Sequence, residues 1–217
     1  MSTSTSEGVT VAAAGVQTVT LFFDPACPWT WRTSRWLVDV AARRGVPVEY
    51  RPFELSDGAP LDAVPEQYRA GAAASRAFLR VVEKAHHGGA DAVTAAIYSA
   101  YGADIHDRGQ TPSLDLVSTI VSEHGGPDYE AALGDESLDA GVAAARAEAR
   151  GYAGDDIGSP VLVLAAASGT RGFFGPVLAP TPTGDHADRL WELLATAAAV
   201  PEFFELKTRR TASPTPV

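Results

Sequence analysis

Cysteine is nearly missing from this 217-residue chain, where Cys27 stands alone. An intramolecular disulfide is therefore impossible, a zinc cluster built on cysteines is excluded, and any thiol chemistry has one sulfur per chain to work with. Lysine is almost as scarce, with two against fifteen arginines, and the formal net charge is −10. Those cations are scattered singly or in pairs, which argues against a nucleic-acid-binding stripe or a polybasic membrane patch. No run of about 18 apolar residues is present, so no spanning helix is expected. The first basic residue is Arg32, and Val9 to Val16 is too short and alanine-rich for the apolar core of a secretory signal. A cytoplasmic protein is expected, with a disordered start over 1–16 and a disordered, proline-bearing tail over 209–217. Glycine-rich phosphate loops are missing too: GADIHDRG and GTRGFFG have the spacing of neither nucleotide fingerprint, so flavin and nicotinamide sites have no support.

What is present suffices for a well-filled core, since 46% of the residues are hydrophobic. The length fits either two small domains or one domain carrying a large insertion. From Gln17, QTVTLFF reads as a short buried strand ending at Asp24-Pro25. Pro28 suits the first position of a helix, and Trp29, Thr33, Trp36, Leu37 and Val40 recur at helical spacing up to a stop at Gly45. Val46 to Phe53 then reads as a second strand. Between Leu61 and Tyr152 alternating runs vanish and helix punctuation repeats, which predicts four to six helices. Val161 to Leu164, the turn Ser168-Gly169-Thr170 and Arg171 to Phe174 form a β-hairpin. A helix over Leu190, Trp191, Leu194, Ala197 and Ala198 closes the pattern, with Phe203, Phe204 and Leu206 packing as a final stub. The expected fold class is α/β, a thioredoxin fold with an inserted all-helical subdomain. Residues 17–58 and 157–208 would form a discontinuous thioredoxin-fold domain, with 59–156 as the helical insertion.

Cys27 falls at the first strand-to-helix junction. A helix N-terminus lowers a thiol pKa, because its unpaired N–H groups and dipole stabilise negative charge, and the thiolate is the nucleophile. Thr30, three residues on, can offer its hydroxyl to the sulfur. Position alone leaves Cys27 open between a reactive thiolate and a small buried hydrophobe. Metal sites have no constellation: His86 and His87 are adjacent and diverge by about 100° on a helix, and the pairs Asp135-Glu136 and Asp155-Asp156 read as caps or solvated ends.

The segment FDPACPWTWRTSRWL, residues 23–37, resembles the active-site segment of DsbA-like thioredoxin-fold proteins, specifically the actinobacterial mycothiol-dependent nitroreductase family, whose motif is CPWC. Further matches follow in order: PEQYRAG at Pro65 to Gly71, IHDRG at Ile105 to Gly109, GSP at Gly158 to Pro160, GFFGPVL at Gly172 to Leu178, and FFELK at Phe203 to Lys207. The resemblance implies that Cys27 is the attacking thiol and that Pro160 is a cis proline facing it. It also implies that Pro28, Trp29 and His106 line the substrate site, with Trp29 offering a face to a flat molecule. Outside the resemblance, His106 reads as a surface-loop histidine.

The chain departs from the family pattern at Thr30, which stands where CPWC has its second cysteine. Disulfide exchange through an internal CxxC is thereby excluded. Two enzyme readings remain. In one, an external low-molecular-weight thiol, mycothiol, replaces the resolving cysteine while a nitroaromatic or quinone is reduced. In the other, Cys27 adds reversibly to an activated double bond, as in a thiol-dependent cis-trans isomerase. A non-catalytic thioredoxin-fold binding module is the third reading. No metal, nucleic acid or membrane partner is expected, only a small-molecule substrate.

Overall fold

The computed structural model describes residues 15–214. The expectation of disorder at the N-terminus falls mostly on residues outside that range, as does the end of the tail.

Strand β1 (Val16–Phe23) runs parallel to β2 (Val48–Pro52), and the helix between them, α1 (Pro28–Arg44), makes the crossover. Pro28 occupies the first turn of α1, where a missing N–H leaves nothing unpaired. Gly45 closes the helix at φ 65°, a left-handed conformation that costs glycine little. The hairpin of β3 (Val161–Ala166) and β4 (Gly169–Phe174) completes a four-stranded sheet in the order β2-β1-β3-β4, with β3 antiparallel to β1. The last helix, α7 (Gly184–Ala198), packs beside α1, and the Trp36 indole N–H donates to the Ala187 carbonyl at 3.0 Å. This is the thioredoxin arrangement.

Between β2 and β3 the chain is helical: α2 (Glu66–His87), α3 (Asp91–Gly102), a π-helical turn (Ala103–Asp107), α4 (Leu114–His124), α5 (Pro127–Ala132), a 3-10 turn (Glu136–Leu138) and α6 (Asp139–Ala153). Alternation along the strands supplies both sides of the sheet. Val19, Leu21, Phe23, Leu162 and Leu164 join Trp36, Leu37 and Val40 of α1 and continue into Phe78, Ile97, Tyr98 and Tyr101 of the helical segment. Phe22, Val161 and Val163 pack instead against Ala145 and Ala149 of α6. Small side chains on α6 let it lie close to the sheet.

Several local expectations change. Helix α6 passes through Gly151 to Ala153, because the ends of α6 are decided by packing on the sheet rather than by one glycine. Strand β2 is shorter than VPVEYRPF, ending where Pro52 has no N–H to offer. The final stub packs only through Phe203, whose ring lies 6.0 Å from that of Phe173, while Phe204 and Leu206 are 83% and 77% exposed. Arg171 fixes the stub by donating to the carbonyls of Pro201 and Phe203 at 3.0 and 2.7 Å. No helix among the described residues is long and apolar enough to cross a membrane.

Candidate active site around Cys27

Strand β1 ends in a turn that delivers Cys27 as the N-cap of α1, with its carbonyl accepting from the Trp31 N–H at 3.1 Å. The turn is held by Asp24, which is buried and receives three donors: the N–H of Ala26 and the Ser75 hydroxyl on Oδ1 at 2.8 and 2.6 Å, and the Leu55 N–H on Oδ2 at 2.8 Å. One carboxylate thus ties the Cys27 turn to α2 and to the segment after β2. Burial pushes the Asp24 carboxyl above the usual carboxylate range, against the lowering effect of those donors.

Ser159 and Pro160 face the sulfur from the start of β3. The Ser159–Pro160 peptide bond is cis. The Cys27 thiol donates to the Ser159 carbonyl at 3.4 Å, and the Asp24 N–H donates to Ser159 Oγ at 3.0 Å. Ser159 Oγ lies 2.7 Å from Thr30 Oγ1. Either hydroxyl of this pair can be the donor; with the Thr30 hydroxyl turned to the sulfur, Ser159 donates to Thr30 while accepting from the Asp24 N–H. In that arrangement the donors run from Asp24 N–H to Ser159 to Thr30 to Cys27. It needs no second thiol.

The acidifying effect expected of a helix start is overridden. Cys27 is only 7% exposed, and burial pushes the thiol above its ordinary range more strongly than the Thr30 hydroxyl and the N–H groups of Thr30 and Trp29 pull it down. The Asp24 charge adds to the rise. At neutral pH the sulfur is a thiol whose proton is held by Ser159.

His106 does not lie on a surface loop. It is 5% exposed on the π-helical turn, and its Nε2 faces the Pro25 carbonyl at 2.9 Å, which places the ring proton on Nε2. Burial holds its pKa below the usual histidine value. The next residue, Asp107, accepts from the Trp31 indole N–H at 3.1 Å and from Arg32 at 2.8 Å. IHDRG therefore clamps the helical segment onto both sides of the Cys27 turn. Gly102, immediately before the π-helical turn, is obligatory for the clamp, because a Cβ there would meet the Trp31 ring at 2.3 Å.

Pro28 and Trp29 are half-buried beside the sulfur. Trp31 fills the core at this turn of α1, and the Trp29 ring turns outward under the Arg210 guanidinium, 5.1 Å from its centroid. Arg32 adds a second anchor for the tail by donating to the Pro214 carbonyl at 2.8 Å. The structure thus gathers Cys27, Pro28, Trp29, Thr30, His106 and Pro160 around one turn. The sequence carries no local signal for Asp24 or Ser75; for Ser159 the signal is its place before Pro160 in GSP. Among the described residues no group of three or more His, Cys, Asp and Glu is arranged to hold a metal.

Comparison with known proteins adds the family context. The profile of the Rv2466c-like family, described as mycothiol-dependent nitroreductase Rv2466c, matches residues 26–208. The uncharacterized protein Rv2286c of Mycobacterium tuberculosis is 28% identical over 204 residues, which cover 88% of this chain and 81% of that protein. Among solved structures, a probable DsbA oxidoreductase from Streptomyces coelicolor superimposes with a TM-score of 0.50 at 21% identity, covering 89% of this chain and 94% of that one. The disulfide oxidoreductase DsbA of Proteus mirabilis gives a TM-score of 0.50 at 15% identity, covering 86% and 88%. At such identities the two structures speak for the fold.

Proposed function

Because the chain belongs to the mycothiol-dependent nitroreductase family, a family of thiol-dependent oxidoreductases, we propose that it is a monothiol member in which Cys27 works with an external low-molecular-weight thiol, mycothiol, to reduce a flat, electron-poor small molecule of nitroaromatic or quinone type. The observation that carries this reading is the hydroxyl pair beside Cys27: Thr30 stands where the family motif has a second sulfur, 2.7 Å from Ser159 Oγ, and can donate to a thiolate as it develops. Cys27 is the nucleophile, and Thr30 stabilises the developing thiolate with Ser159 behind it. Trp29 offers its face for stacking once Arg210 moves aside, Pro28 and Pro160 wall the sulfur, and His106 fixes the turn through Pro25.

The cycle balances with two external thiols. Cys27 and one mycothiol each give up an electron and a proton, so that a quinone becomes a hydroquinone and a mixed disulfide forms on Cys27. A second mycothiol attacks that disulfide at its mycothiol sulfur, Cys27 leaves as thiolate, and mycothiol disulfide is released. A nitro group accepts the same two electrons and two protons to give a nitroso group and water.

The test is anaerobic incubation with mycothiol and menadione, followed by absorbance and intact mass. Menadione should be reduced with one mycothiol disulfide formed per turnover, and oxidant excess should trap an adduct of mycothiol mass on wild type that is missing in Cys27→Ser. Equal reduction by Cys27→Ser would overturn the thiol mechanism. A second reading, reversible addition of Cys27 to an activated double bond, draws on the same missing second thiol, since isomerisation needs one nucleophile and no electrons. It predicts interconversion of E and Z forms of an α,β-unsaturated thioester with no thiol consumed.

A further inference from the structure

A cavity of about 1060 Å³, separate from the Cys27 turn, opens between α2 and α6 beneath the segment that follows β2. Its arginines are unequally matched. On the α2 side, Arg76 donates twice to Glu54 Oε1 at 2.9 and 2.8 Å, and Arg80 grips both oxygens of Asp139 at 2.6 and 2.8 Å. On the α6 side, Arg146 and Arg150 stand one turn apart and share a single carboxylate, that of Asp57, which Arg150 reaches only at 3.9 Å. The Nε–H of each is buried and without an acceptor among the described residues. Glu148, on the same helix, is committed to Arg51 at 3.0 Å. Glu136 and Asp155 line the cavity too, but no ion pair among the described residues joins either to Arg146 or Arg150.

Two guanidinium groups thus face one carboxylate that is itself 61% exposed. Asp57 is also the one non-glycine residue at positive φ, 58°, among those described, so its carboxylate is offered by an unfavourable turn. The Arg146 guanidinium also stands over the Phe53 ring, 5.7 Å from its centroid. Ala143, Ala147 and Gly151 run along α6 beside the arginines and leave the floor open.

We infer that Arg146 and Arg150 form a binding site for a small molecule bearing a phosphate-monoester dianion, and that Asp57 is the internal carboxylate that fills the site when no ligand is bound. A dianion matches the two charges where Asp57 matches one, and the forked donors of paired arginines suit tetrahedral phosphate oxygens. The cavity is large enough for the rest of a metabolite-sized ligand, for which about 300–1,000 Å³ is usual. This inference is independent of the Cys27 chemistry.

The experiment uses the full chain with phenyl phosphate as probe, benzoate as the single-charge control, inorganic phosphate as the free-anion arm, and sodium chloride at matched ionic strength, read by calorimetric titration and thermal unfolding. Phenyl phosphate should bind saturably and raise Tm, benzoate and chloride should not, and inorganic phosphate should bind more weakly than the ester. Arg150→Gln should weaken phenyl phosphate binding by about tenfold or more, as loss of a charge-assisted pair implies, while its Tm without ligand is no lower than that of wild type. Asp57→Asn, a residue that tolerates positive φ, should tighten binding by about threefold or more. Unchanged affinity in Arg150→Gln, weaker binding in Asp57→Asn, or equal stabilisation by chloride would each overturn the site. Inorganic phosphate binding as tightly as the ester would reduce it to a free-anion site and overturn the monoester assignment.

Discussion

The turn around Cys27 and the cleft between α2 and α6 both lie where the helical segment meets the thioredoxin-fold strands, yet they treat buried polar groups in opposite ways. Around Cys27, Asp24, Thr30, Ser159 and His106 are buried and each has a partner, several of them reaching across more than 70 residues of chain. In the cleft, the Nε groups of Arg146 and Arg150 are buried without one. A fully paired network strengthens its members and fixes one geometry, whereas an unpaired buried donor is a standing cost of about 1–3 kcal/mol. The first region is therefore rigid by its own bonds, and the second is held open by its surroundings. Substitutions should be harmful in one and nearly silent in the other.

The largest effect is expected at Gly102→Ala. A methyl placed 2.3 Å from the Trp31 ring must displace either the ring or the π-helical turn, and with it the Asp107 and His106 bonds, so a loss of about 2–3 kcal/mol is expected in urea unfolding. Ser159→Ala comes next. It strands the buried Asp24 N–H and removes the hydroxyl partner of Thr30, so stability should fall by about 1–3 kcal/mol, and the pH profile of Cys27 alkylation should move up. Thr30→Val keeps the volume but removes the last donor. Alkylation of Cys27 by iodoacetamide at pH 7 should slow by about tenfold, as expected for a hydrogen bond to a charged group. If Thr30→Val reacts at the wild-type rate, the chain of donors does not end on sulfur and the contrast between the two regions loses its chemical half.

How much of this was legible in the amino-acid sequence follows the range of the contacts. Local chemistry announced itself: Pro28 and Gly45 bracket α1, the β-branched run at Val161 opens β3, and Cys27 sits at the junction of β1 and α1. The partners of Cys27 did not. Asp24 and Ser159 meet across 135 residues, and nothing in either neighbourhood signals the other. Periodicity likewise does not single out Trp31, which is buried in the core with its indole N–H on Asp107; only the packing of the helical segment reveals it. The pKa of Cys27 went the wrong way for the same reason. A helix start is visible in sequence, while the burial that outweighs it belongs to the tertiary fold.

A smaller effect, within the Cys27 region, depends on acidity. Because burial keeps the His106 pKa below its unfolded value, the unfolded chain takes up a proton first as the pH falls through about 6.5. The neutral ring then becomes a destabilising element, and its contribution to stability falls from pH 6.5 downward toward the folded pKa. Asp24 acts in the opposite sense, since a raised folded pKa favours the folded state as the pH drops through it. The measurement is the difference in unfolding free energy between wild type and His106→Gln from pH 7 to pH 5, which isolates the histidine. That difference should shrink steadily on acidification, by no more than about 1.4 kcal/mol per pH unit. A difference independent of pH would mean that His106 titrates as it does in the unfolded chain.

The smallest effect is expected in the cleft, at Asp57→Gly, and it tests the contrast most directly because three modest contributions oppose one another. Losing the carboxylate removes the ion pairs to Arg146 and Arg150, but Asp57 is 61% exposed, and pairs made by such a side chain contribute about 0–1 kcal/mol. Glycine relieves a left-handed backbone at φ 58°, a gain of about 1 kcal/mol. Against that, glycine gives the unfolded chain more freedom, a loss of about 0.5–1 kcal/mol. The sum should lie between a loss of about 1 kcal/mol and a gain of about 0.5 kcal/mol, where Ser159→Ala, at the other region, loses about 1–3 kcal/mol for one hydroxyl. A loss above about 1.5 kcal/mol at Asp57 would mean that the arginine pairs hold α6 in place, and the cleft would then be a second structural network rather than a site kept in waiting.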